Sequence, residues 1–148
     1  MAIATNSNMP LVNQGAAVIY TWIKNVTVTG NDTTADNPGI NILSQATLYL
    51  TVTAASGTSP TLDIYLQKKL ADGSTYQDIA HFAQVTTSPT NRVMHMITGG
   101  NKEEAQQTNT LAASTVNSVP FGAIWIISAR VGGTSPSFTF SLYMEGLT

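Results

Sequence analysis

The sequence predicts an all-β protein: an antiparallel β-sandwich or jelly-roll-like domain of seven to nine strands. Three observations predict it. Apolar and polar residues alternate with period two in several runs. Turn-forming clusters punctuate those runs at the spacing of about 8–12 residues that β-sandwiches show. A four-residue phrase, Gly57-Thr58-Ser59-Pro60, returns as Gly133-Thr134-Ser135-Pro136, each time between two strand-like runs.

At 148 residues the chain is one domain by length. Residues 1–15 are polar and uncharged, with Pro10 and Gly15, and read as an N-terminal arm. The β-sandwich domain is assigned to residues 16–148. Ala16 to Lys24 is the first strand, continuing or bulging into Val26-Thr27-Val28. Gly30 to Gly39 carries Asn31, Asp32, Asp36, Asn37 and Pro38, which is loop chemistry.

The first Gly-Thr-Ser-Pro phrase predicts a β-hairpin over about residues 45–70. Ala46, Leu48, Leu50 and Val52 form the inward face of one arm, against Thr47, Tyr49, Thr51 and Thr53. Leu62, Ile64 and Leu66 form that of the other, against Asp63, Tyr65 and Gln67. Each face pair reads as one buried and one wet.

Ala71-Asp72-Gly73-Ser74 is a tight turn. Tyr76, Ile79, Phe82 and Val85 then recur at spacing three, which alone favours a helical turn. The run is short and bounded by turns, so it is read as an irregular strand with a bulge. Arg92 to Ile97 alternates, but Val93, His95 and Ile97 compete with Met94 and Met96 for the buried side. Gly99 to Thr110 is a long polar loop or one helical turn, and Leu111 to Val116 a further strand. The second phrase predicts a second hairpin, about residues 121–145. Ile124-Trp125-Ile126-Ile127 is apolar on both faces, as in a central covered strand. Phe138, Phe140, Leu142 and Met144 form an inward face that ties the C-terminus into the sheet.

Composition narrows function. Hydrophobic residues make up 43% of the chain and charged residues 9%, against roughly 25% charged in ordinary soluble domains. Hydroxyls and amides replace the missing charges. Such a surface is cheaper to cover with protein than an ionic one. Net charge is -2 and the pI about 5.4. The cations are scattered, with only Lys68-Lys69 adjacent, so no nucleic-acid partner is expected. There is no cysteine. No apolar run approaches the roughly 20 residues that span a bilayer, and the N-terminus lacks a signal-peptide pattern. Synthesis in the cytoplasm of the expressing cell is expected.

Signals for chemistry are weak. His81 or His95 could borrow Asp78 or Asp63 and a serine for a triad, but no nucleophile elbow appears, and a structural role is favoured for both. A histidine metal site lacks further ligands at useful spacing. A cation loop over Asp72 to Asp78 lacks the alternating acids and closing Glu. Glu103-Glu104 reads as solvated. Asn25-Val26-Thr27 and Asn31-Asp32-Thr33 match the glycosylation pattern by chance in a chain so rich in Asn and Thr. No catalytic residue, metal or cofactor is expected, and the chain is read as a non-enzyme. Tyr49, Tyr65 and Tyr143 fall on polar-facing strand positions. Exposed aromatics serve subunit interfaces or sugar platforms, and the interface is preferred.

Ser56-Gly57-Thr58-Ser59-Pro60-Thr61-Leu62-Asp63-Ile64-Tyr65-Leu66-Gln67, with Ala71-Asp72-Gly73-Ser74-Thr75-Tyr76-Gln77-Asp78-Ile79-Ala80 and Phe82, resembles small virion proteins of tailed bacteriophages. The likeness covers about residues 45–86 and, more loosely, the second hairpin. It implies a capsid decoration (cement) protein of the virion surface. The partners it implies are the major capsid protein and copies of the chain itself, as a homo-oligomer with a trimer favoured. It carries over no catalytic residue. Met9, Leu11 and Val12, apolar anchors in the arm, join Tyr49, Tyr65 and Tyr143 as candidate partner contacts. The alternative is a glycan-binding β-sandwich module or a fibre-like appendage.

Overall fold

The computed structural model describes residues 17–38, 45–97, 106–117 and 124–147. They form β1 (Ala17–Val28), β2 (Asp32–Thr33), β3 (Asn37–Pro38), β4 (Gln45–Lys69), β5 (Tyr76–His81), β6 (Thr90–Ile97), β7 (Thr115–Val116) and β8 (Ile124–Leu147). Every pairing is antiparallel. The all-β class is as the alternation predicts.

The two repeated phrases do something other than expected. Neither closes a hairpin. β4 and β8 each run straight through their Gly-Thr-Ser-Pro, and the two strands pair with each other along their whole length, from Gln45↔Leu147 to Lys68↔Trp125. The two phrases meet at Thr58↔Thr134, with register shifts on both sides. Gly57 and Ser59 have φ of 113° and 48°, and Gly133 and Ser135 of 106° and 49°. Paired bulges of this kind bend a strand without reversing it. The true hairpin lies one step later. Leu70 to Thr75 joins β4 to β5, closed by Leu70 N donating to Thr75 O at 2.8 Å.

The bent ribbon divides the strands into two groups. In the first, β1, the C-terminal half of β8, the N-terminal half of β4 and β6 lie in that order. In the second, β2 and β3 flank the N-terminal half of β8, followed by the C-terminal half of β4, then β5 and β7. One hydrophobic cluster draws on both groups: Leu48, Leu50 and Phe140 from the first, Leu62, Ile64, Ile127 and Ile79 from the second. An arrangement in which both groups feed a single core fits the expected two-layer sandwich.

Burial follows the period-two pattern in the first group. Ala46, Leu48, Leu50 and Val52 are buried, as are Phe138, Phe140, Leu142 and Met144. In β6 the methionines win: Met94 and Met96 are buried, whereas Val93 is exposed. The central, doubly covered strand is also as expected, with Trp125, Ile126 and Ile127 all buried. β5 carries the expected irregularity, a register shift against β4 between Leu66 and Gln67.

Three local expectations change. Of the Gly30 to Gly39 stretch, the described residues 30–38 are less a free loop than a strap along the edge of β8. Asn31 Oδ1 accepts from Val131 N at 2.8 Å and Thr34 Oγ1 from Ile127 N at 2.9 Å. Side chains here stand in for a neighbouring strand. Of residues 111–116, only Thr115–Val116 pair as strand. The third change, on the outer face of the second group, bears on function.

Candidate interaction surface

The two groups present outer faces of opposite character. On the second group, the described part of the polar segment, residues 106–117, is held against β5 and Ser128, beside Tyr65 and Gln67. Its anchor is Asp78, fully buried on β5. The Asp78 carboxylate accepts four hydrogen bonds: from Gln67 Nε2 at 2.7 Å and from the backbone N of Asn109, Thr110 and Leu111 at 2.9, 2.9 and 3.0 Å. A buried carboxylate needs such donors in place of water. Asn117 Nδ2 donates to Asp78 O, and Ser128 Oγ to Asn109 Oδ1.

This cover corrects two expectations. Tyr65 and Gln67 were read as facing water, yet they are 7% and 1% exposed. Tyr65 therefore drops out as a partner contact. Its ring stacks on His81 with centroids 3.9 Å apart and planes at 17°. Burial, reinforced by the negative charges of Asp63 and Asp78, raises the pKa of its phenol.

The structure does bring His81 to Asp63, with Nε2 3.0 Å from Oδ1. The other ring nitrogen, Nδ1, lies 2.6 Å from the carbonyl of Leu111. Both nitrogens are committed, to a carboxylate and a carbonyl, and the ring is buried. The geometry is that of a structural pin between β5 and the covering segment rather than of a triad. His95 lies 48 residues from its partner in sequence, with Nδ1 2.9 Å from Thr47 Oγ1.

The Asp72 turn is likewise self-contained. Its carboxylate accepts from Ser74 N, from Thr75 N and from the Thr75 hydroxyl, and these bonds lower its pKa, the hydroxyl most of all. Asp78 points into the polar cluster instead, so the two acids do not converge on a cation. Among the described residues, no group of three or more His, Cys, Asp or Glu could hold a metal ion. No helix among the described residues is long and apolar enough to cross a membrane.

The outer face of the first group lacks such a cover among the described residues. Registry sets three rows across β8, β4 and β6: Glu145–Thr47–His95, Tyr143–Tyr49–Val93 and Ser141–Thr51–Asn91. Tyr49 is 37% and Val93 56% exposed, the large hydrophobics of the described residues that stand most open. Tyr143, beside Tyr49, is half-buried. The rows hold one carboxylate and no Lys or Arg. Next to them, Thr27 and Thr139 share a hydroxyl–hydroxyl hydrogen bond of 2.7 Å. The result is a surface of tyrosine, valine, hydroxyl and amide that carries little charge, with Ser141 buried beside Asn25.

Two of the three tyrosine candidates, Tyr49 and Tyr143, are thus brought side by side. Met9, Leu11 and Val12 lie outside the described residues, as does the start of the polar loop, Gly99 to Ala105. Val93 was not singled out in the sequence. Its signal was the alternation of β6, legible once Met94 and Met96 are known to face inward. No protein-family model matches this chain, and neither a curated protein nor a solved structure matches it.

Proposed function

We propose that this chain is a structural subunit that docks on a protein shell through the Tyr49–Tyr143 face. The shell we propose is a phage capsid, as its decoration protein. The observation that carries the reading is the contrast between the two outer faces. One is sealed by its own polar segment, while the other offers adjacent tyrosines on a nearly uncharged, hydroxyl-rich sheet. Interface cores are enriched in tyrosine and depleted in charge. The cost of covering hydroxyls and amides is modest when the partner supplies hydrogen bonds. The phage assignment is supported by the resemblance over residues 45–86. The major capsid protein is then the partner, the virion surface the location, and Met9, Leu11 and Val12 a second set of contacts.

A subunit that binds only the assembled shell stabilises it by mass action. The test is co-sedimentation with purified capsids. A Tyr49→Ser, Tyr143→Ser double variant is expected to keep its β circular dichroism and lose attachment. Attachment at wild-type strength would overturn the reading.

One observation favours a second reading, glycan binding. Tyr49 adjoins a groove lined by Gln45, Thr47, His95 and Glu145. An aromatic platform beside amide, imidazole and carboxylate suits sugar hydroxyls. Retention on polysaccharide columns, lost on Tyr49→Ser, would select it.

A further inference from the structure

The edges of the two strand groups are unequally protected. Exposed strand edges invite pairing with other chains, and proteins blunt them with short strands, bulges, charge or cover. In the second group the edges are β2, β3 and β7, each two residues long. In the first group β1 has two register shifts, Lys24 and the left-handed Asn25 at φ 50°. β6 carries one of these devices, the charge of Arg92, and its edge residues border a groove walled by Phe82, Ala83, Ser114 and Val116. It pairs with β4 over eight residues with no register shift. It contains no Pro and no Lys, and among the described residues no strand pairs with its outward side.

We propose that β6 is a self-association edge, where a second copy of this chain adds its own β6 antiparallel about a two-fold axis at Val93. The self-complementarity of the edge selects this occupant and this register. Residues opposite one another in an antiparallel pair point to the same side of the sheet. Continuing the sheet with both cores on one side therefore requires a dyad that passes through a residue. A dyad at Arg92 would set two like charges opposite each other, which is destabilising. A dyad at Met94 would place exposed Val93 against His95. A dyad at Val93 pairs Val93 with its own copy, Asn91 with His95, Arg92 with Met94 and Thr90 with Met96. Val93 meets its own copy, Asn91 meets the imidazole of His95, and the Arg92 cation meets a polarizable thioether, with Thr90 against Met96 the one mixed pair.

The same dyad joins the two Tyr143–Tyr49–Val93 rows end to end and covers Val93. The proposal stands independently of shell attachment, since it concerns the free protein. It specifies a two-fold contact in place of the trimer that the resemblance favours.

The chain has no cysteine, so introduced thiols report the register directly. Opposed Cα atoms in such a pair lie about 4.5–5.5 Å apart, within disulfide reach. On mild oxidation, V93C is expected to give a covalent dimer. N91C and H95C are each expected to stay monomeric in denaturing gels alone and to cross-link when mixed, while S74C in the exposed turn does not cross-link.

In sedimentation without capsids, the parent is expected to run as a dimer. V93K should shift to monomer with unchanged circular dichroism, and an equimolar mixture of V93K and V93E should recover the dimer. A parent that is monomeric or trimeric, a V93K variant as dimeric as the parent, or V93C that fails to cross-link would each overturn the proposal. Capsid binding by monomeric V93K would leave the shell reading intact, so the two claims fail separately.

Discussion

Gly57 and Gly133 sit at matching corners of the two long strands, each pressed against the other's Thr-Ser-Pro backbone. A Cβ on Gly57 would lie 2.8 Å from Ser135 O, and one on Gly133 would lie 2.6 Å from Ser59 O. Both residues hold φ above 100°. The sequence repeat is thus also a spatial one: each phrase supplies the glycine that lets the other pass.

Replacing either corner glycine with alanine is expected to destabilise the protein by about 2 kcal/mol or more, because positive φ and a backbone clash act together. Gly73→Ala is the control. Its φ is 74°, but a Cβ there meets nothing within 4 Å, so a cost nearer about 1 kcal/mol is expected. Urea melts of the three variants check the ranking. Equal losses at Gly57 and Gly73 would show that the close approach is not felt.

Asp78→Ala is expected to cost about 3 kcal/mol or more. It leaves three backbone N–H groups and the Gln67 amide without their acceptor; of these the Leu111 N–H and the Gln67 amide are buried, and buried unsatisfied donors are penalised at about 1–3 kcal/mol each. Hydrogen exchange should accelerate at Asn109, Thr110 and Leu111 before the core strands respond. Unchanged protection at those amides would show that the segment is held by other means.

Phe140→Ala is expected to cost about 3–5 kcal/mol, since the ring is fully buried in the shared core. Tyr49→Ala, on the open face, should cost less than about 1 kcal/mol. Calorimetry of both variants checks the contrast. A Tyr49 loss as large as that of Phe140 would mean the face is covered within the monomer.

Acid sensitivity should be reduced in Asp36→Asn. The Asp36 carboxylate lies 2.6 Å from Lys69 Nζ and accepts the Tyr76 hydroxyl at 2.7 Å, and these two bonds, the lysine first, lower its pKa below 3.8. A folded pKa below the unfolded one stabilises the native state above about pH 4. That contribution is lost as pH falls through the folded value. Between pH 7 and pH 2 the variant should therefore lose less stability than the parent. Parallel pH profiles would refute the linkage. The pair is partly exposed, so the effect should shrink with added salt.

What the sequence discloses depends on how local the deciding contact is. The inward sets Leu48–Leu50–Val52 and Phe138–Phe140–Leu142 are legible because period two is a property of neighbouring residues. Tyr65 and Gln67 share that pattern with Tyr49 and Thr51, yet the polar segment seals one set and not the other. That cover is built from Asp78, which sees residues 109–111 only after folding. The Gly-Thr-Ser-Pro phrases read in sequence as hairpin turns. Whether such a phrase reverses the chain or merely bends it is decided by the partner strand, and for β4 that partner is distant in sequence. Of the candidate face, the tyrosines were visible from alternation. Val93 and the open edge of β6 required knowing which strands are outermost.

The pairing of β4 with β8 also sets the order of events during synthesis. β8 follows every other described strand in the chain, and in both groups it lies between β4 and an edge strand. As the polypeptide emerges from the ribosome, β1, β2 and β3 have no partner, and β4 has only β5 and β6. Neither group can close until the last strand is out. Contacts so remote in sequence fold slowly, and unpaired edges persist meanwhile. The many hydroxyls and the glycine corners of the nascent strands thus carry a second burden: keeping an unfinished sheet from finding the wrong neighbour.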